Sequence, residues 1–66
     1  MNLGGFMRII KLKEVMSITG LSRSAIYEKI AGNVFPKQIK LSERSVGWLE
    51  KEVHEWVESI IVLARA

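Results

Sequence analysis

Arg23, Ser24, Tyr27 and Glu28 stand on the side of a short helical pattern left free once Ala25, Ile26 and Ile30 face inward. At about 100° per residue, Ile26 and Ile30 share a face, and Ala25 beside them permits close approach of a neighbouring helix. Ser22 precedes the pattern as an N-cap whose hydroxyl accepts from a free backbone amide. An arginine and hydroxyls at a helix N-terminus, where unpaired amides also favour anions, carry the chemistry for phosphate oxygens and for a guanine edge. Arg23 is the first candidate for such a contact. Tyr27 offers a ring and a hydroxyl to a sugar or phosphate, and equally suits half-buried packing at the rim of a helix. Glu28 repels phosphate and helps only by accepting from cytosine or by orienting a basic neighbour.

Other chemistries lack their residues. The chain has no cysteine, which rules out a disulfide framework and thiolate metal sites. Its one histidine, His54, lies a helical turn from Glu50 and from Glu58, but all three fall on one helix and no second element supplies a ligand, so surface salt bridging is the reading. No Ser-His-Asp constellation and no glycine-rich phosphate loop is present. Neither an enzyme nor a bound cofactor or metal is expected.

Charge is distributed unevenly. Residues 1–44 carry eight basic side chains (Arg8, Lys11, Lys13, Arg23, Lys29, Lys37, Lys40, Arg44) against three glutamates, whereas residues 45–66 carry two basic and four acidic ones, for a net charge of +3. The basic part is the part that holds the helix opened by Ser22, as a polyanion-facing surface requires.

The elements that must position these residues follow from pattern. Met1 to Phe6, with two adjacent glycines and no period, reads as a disordered lead-in over residues 1–7, and Met7 suits a functional start. Arg8 to Leu12 reads as a short extended segment too brief to assign as a strand, with Ile10 and Leu12 on one face. A helix of about two turns then starts at Lys13 and runs toward Ser17 or Ile18, burying Leu12, Val15 and Ile18. Gly20 in the left-handed conformation ends it, Leu21 anchors the turn, and the second helix spans 22–31. Gly32 and Asn33, both tolerant of positive φ, close that helix, and Pro36 extends Phe35 so that it folds back onto the core.

Gln38-Ile39-Lys40-Leu41 and Val46-Gly47-Trp48 alternate around polar Ser42-Glu43-Arg44-Ser45, which predicts a hairpin over 38–49. Its tip lacks an Asn-Gly pair, so a loose four-residue loop is expected. Ile39, Leu41 and Trp48 would pack inward, leaving Lys37, Lys40 and Arg44 to phosphate. Glu50 opens the last helix, with Glu50 and Glu52 in its first turn. Leu49, Val53, Trp56, Val57, Ile60 and Ala64 form its core arc, and Lys51 and Glu55 a surface pair. Val62 lies opposite the core arc with Ile61 and Leu63 flanking it, so the helix end is apolar nearly all round.

Gly20-Leu21-Ser22-Arg23-Ser24-Ala25-Ile26-Tyr27, Phe35-Pro36-Lys37 and Val46-Gly47-Trp48-Leu49 together resemble the AlpA family of small phage-type regulators over roughly residues 8–58. That family is similar in turn to excisionase and MerR-like winged helix-turn-helix proteins. The resemblance implies DNA binding through a recognition helix and a β-hairpin wing. Two departures stand out. Met16 occupies a place where a small residue normally lets the two helices cross closely, and the hairpin tip lacks the glycine that family members often carry.

The expected fold is therefore mostly α with a small β-hairpin, a winged helix-turn-helix of three helices plus a two-stranded antiparallel wing, in one domain over 1–66. Ser22, Arg23, Ser24, Tyr27, Glu28, Lys37, Lys40 and Arg44 are the candidate DNA-binding residues. The function expected is sequence-specific binding of double-stranded DNA by a prophage-type transcriptional regulator. The alternatives are an excisionase-like recombination directionality factor, or an adaptor that binds a regulator or recombinase through the last helix. A homodimer, or a phage or host protein, is the partner expected at Ile61, Val62 and Leu63. No apolar run approaches the length of a membrane span, and a cytoplasmic location is expected.

Overall fold

Ile9 and Ile10 pair antiparallel with Leu49 and Trp48, so the segment just after the lead-in is a strand and not merely extended chain. In the computed structural model, which describes residues 8–66, the order is β1 (Ile9–Ile10), α1 (Leu12–Thr19), α2 (Arg23–Ala31), β2 (Ile39–Ser42), β3 (Ser45–Leu49) and α3 (Glu50–Arg65). The lead-in at 1–7 and the start at Met7 lie outside the described residues. The sheet is antiparallel with strand order β1-β3-β2. Three helices with a small β wing make a winged helix, and β1 adds a third strand to the predicted two-stranded wing. A two-residue strand has no periodicity to detect, because it exists only through its partner.

The helix-turn-helix follows its local chemistry closely. α1 starts one residue earlier than predicted, its first amides at Glu14 and Val15 both donating to the Lys11 carbonyl at 3.0 Å. Gly20 has φ 74° and its N–H donates to Met16 O at 2.8 Å, as a left-handed helix end does. Thr19 tightens the turn from the side: its hydroxyl donates to Val15 O at 2.8 Å and accepts from Leu21 N–H at 3.2 Å. Ser22 caps α2 by accepting from Ala25 N–H at 3.2 Å. At the other end Gly32 keeps a negative φ of −85°, and Asn33 alone takes the left-handed conformation at φ 60°. One left-handed residue is enough to turn the chain out of the helix, and asparagine tolerates it.

Ile10, Val15, Ile26, Phe35, Trp48 and Val53 form the buried core, one residue from each helix, two from the sheet and Phe35 from the loop between α2 and β2. Phe35 folds back as predicted and meets Trp56 edge-on at 4.9 Å between centroids. Both tryptophans also staple the α2–β2 loop by their indole N–H groups, Trp48 donating to Pro36 O at 3.1 Å and Trp56 to Val34 O at 2.6 Å.

Three expectations are corrected by the packing. The hairpin tip is a two-residue turn of Glu43 and Arg44 between paired Ser42 and Ser45, not a four-residue loop. Neither turn residue has positive φ, and an irregularity between Lys40 and Ser42 places Leu41 as an extra residue in β2, a bulge that supplies added twist. Ile39 then pairs with Gly47, so it lies on the sheet face opposite Trp48, and Leu41 is exposed there instead of packing inward. Gly47 is what lets these side chains close over that face: a Cβ on it would stand 2.6 Å from Ile9 Cγ2 and 3.2 Å from Leu41 Cδ1. Finally, α3 follows its predicted arc through Val53, Trp56 and Val57, but Ile60 and Ala64 are exposed. A core this small is spent before the helix ends.

Candidate nucleic-acid interface

α2 holds one of its charged side chains, Arg23, against an aromatic ring. The Arg23 guanidinium lies over the Tyr27 ring, 5.6 Å from its centroid, one turn along the same helix. Tyr27 in turn meets Trp48 edge-on at 6.3 Å, so a buried core residue backs the ring that carries the arginine. Tyr27 is half-buried, which makes it packing and platform together. Ser22, Ser24 and Glu28 are exposed, and the Ser22 and Ser24 hydroxyls stand 3.3 Å apart. These five residues cluster along the N-terminal turns of α2.

Lys37, Lys40 and Arg44 gather in a second place, an open groove between the C-terminal part of α2, at Ile30, and the hairpin. Register explains Lys40: it pairs with Val46, which packs against the core, so Lys40 shares that sheet face at the free edge of β2 beside α2. Gln38, Ser42, Glu43 and Ser45 complete the polar lining, none of them singled out by sequence reasoning. Their signal was available in the pairing parity of the hairpin, once the bulge at Leu41 is known. Glu43 tempers the local charge.

Not every basic residue of the N-terminal part is free for an anion. Arg8 bonds both carboxylate oxygens of Glu50, at 3.2 and 3.1 Å, and also reaches Glu14, tying β1 to α3 and α1. The Glu50 hydrogen bond, followed by the charges of Glu14 and Glu50, raises the guanidinium pKa above its ordinary value. Lys11 donates to Ser45 Oγ and so braces the hairpin beside its turn. Among the described residues, no three His, Cys, Asp or Glu side chains converge as a metal site. His54 Nε2 instead stands 3.7 Å from Glu50, and Lys51 pairs with Glu55 at 3.8 Å. No described helix is long and apolar enough to cross a membrane.

The chain is similar to known phage-related proteins over most of this fold. A family model described as Prophage CP4-57 regulatory protein (AlpA) matches residues 8–61. An uncharacterized protein of Enterobacteria phage P4, ORF88, is 46% identical over 50 residues, covering 76% of this chain and 57% of that protein, so the chain spans less than two thirds of that relative. The DNA-binding transcriptional activator AlpA of Escherichia coli K12 is 36% identical over 63 residues, 86% of this chain and 90% of its own length. The matched span takes in α1, α2, the sheet and most of α3, and the chain belongs to the AlpA family of prophage regulatory proteins.

Proposed function

We propose that the chain binds double-stranded DNA as a sequence-specific transcriptional regulator, with the helix at 22–31 in the major groove and the hairpin at 38–49 against the adjacent backbone. The observation that carries this reading is the Arg23 guanidinium held over Tyr27 at the capped end of α2. An arginine presented in that way offers its planar fork to a guanine edge at reduced entropic cost. Ser22 and Ser24 bond the nearest phosphates, Glu28 accepts from cytosine or orients a basic neighbour, and Lys37, Lys40 and Arg44 neutralise the strand beside the groove. The relative described as a DNA-binding transcriptional activator supports regulation over catalysis. The protein acts in the cytoplasm.

Selection from a random duplex pool tests the reading. A recovered motif, with affinity that falls steeply as salt rises, is the expected result. Failure to enrich any motif would leave the basic surface without a sequence to read. An excisionase-like factor would use the same surface, and the two roles separate by whether the recovered motif lies at a promoter or at a recombination site. A second surface favours a protein partner: Ile61, Val62 and Leu63 are exposed at the end of α3, where a second copy, or a phage or host protein, would dock.

A further inference from the structure

Beyond Val57, α3 leaves the core, and its last turns are apolar nearly all round and uncovered. Ile60 and Ile61 are each 43% exposed, Val62 66% and Leu63 72%. Glu58, Ser59, Ile61, Val62 and Leu63 line a shallow groove there. Scattered exposed apolar residues are ordinary, but four in succession on one helix end are not.

The charges around this surface point to its occupant. From Glu58 to Arg65 the helix carries one acid at its start and one base at its end, with only uncharged side chains between. At about 100° per residue, Glu58, Val62 and Arg65 fall within about 60° of one another, with Ile61 at their edge toward Val57, and Val62 lies opposite the arc through Val53 and Val57. A segment ordered acid, apolar, base is complementary to itself reversed. Laid antiparallel across a two-fold axis between Ile61 and Val62, two copies bring each Glu58 opposite the partner copy's base and pack Ile61 and Val62 between the two ion pairs.

We propose that the end of α3 is a homodimer interface, formed by antiparallel pairing of Glu58-to-Arg65 segments from two copies of this chain. Two helical turns per copy bury less than the roughly 1,000 Å² typical of stable interfaces, so the free dimer is weak. On DNA, one bound copy raises the effective concentration of the next, and weak pairing becomes cooperative occupancy of adjacent sites. This last step rests on the proposed DNA binding, whereas the pairing itself does not.

Sedimentation equilibrium of the full chain without DNA, from micromolar to millimolar, tests the pairing. The parent is expected to show a monomer–dimer equilibrium. Glu58→Arg alone and Arg65→Glu alone place like charges opposite each other twice and should weaken it about tenfold, while the double swap restores it. Both side chains are exposed, and circular dichroism of each variant verifies that the fold is kept. A parent that stays monomeric at millimolar concentration overturns the proposal and leaves the surface to a different protein. Weakening by both single swaps without rescue by the double swap overturns the antiparallel register. Neither result bears on DNA binding, which duplex titration of the same proteins reads separately.

Discussion

The guanidinium of Arg23 rests 5.6 Å from the centre of the Tyr27 ring, and the Tyr27 ring rests edge-on against Trp48. Arg23 is thereby coupled to the core through one aromatic side chain. Arg23→Ala should cost about 1–3 kcal/mol on the preferred duplex and blur one or two positions of its motif. Tyr27→Phe keeps the ring and should retain motif and affinity, whereas Tyr27→Leu frees the arginine and should blur the same positions. A motif that survives Arg23→Ala with uniformly weaker binding would make Arg23 a phosphate contact.

The groove beside α2 predicts a different signature. Lys40→Ala and Arg44→Ala should weaken binding to all duplexes about equally, each lowering the salt slope of log K by roughly one if it neutralises one phosphate. Titrations at several salt concentrations measure it. Parent slopes in both variants would take the hairpin off the DNA.

Trp48→Ala should destabilise the fold by about 3–5 kcal/mol, because it empties the centre of the core and leaves the Pro36 carbonyl without its donor. In a domain this small, that is a large share of total stability. A cooperative denaturant transition at the parent midpoint would show that the core does not depend on this ring.

Gly47→Ala should cost about 1–3 kcal/mol through overpacking. Its Cβ would meet Ile9 Cγ2 at 2.6 Å and the Ile10 carbonyl oxygen at 3.0 Å. Adding Ile9→Ala relieves the first contact but not the second, which is backbone, so the double variant should recover only part of the loss relative to Ile9→Ala alone. Full recovery in chemical denaturation would place all the strain on the side chain.

Much of this architecture was legible wherever the signal is local. Ser22 as cap, Gly20 as left-handed terminator, Phe35 returning to the core and the start of α3 at Glu50 all depend on neighbours a few residues away. What escaped depends on distant partners. β1 exists by pairing with β3, and the bulge at Leu41 decides which face Ile39 and Leu41 take, an outcome that strict alternation cannot show. The exposure of Ile60 reflects how far the core reaches, not the periodicity of its own helix.

The candidate site was legible in its residue types more than in its geometry. Arginine and an aromatic four apart on a helix imply the Arg23–Tyr27 stack by their spacing alone. Arg8 was counted among the basic residues, yet its glutamate partners occupy it with structural bonds between elements remote in sequence.

The central claim is that a duplex is read by the N-terminal turns of α2 and by the hairpin. Backbone amide shifts, followed by NMR as the selected duplex is titrated into the full chain, test it most directly. Perturbations concentrated at residues 22–28 and 37–45 are the predicted result. Perturbations concentrated at residues 58–66, with the amides of Arg23 and Lys40 unmoved, would contradict it.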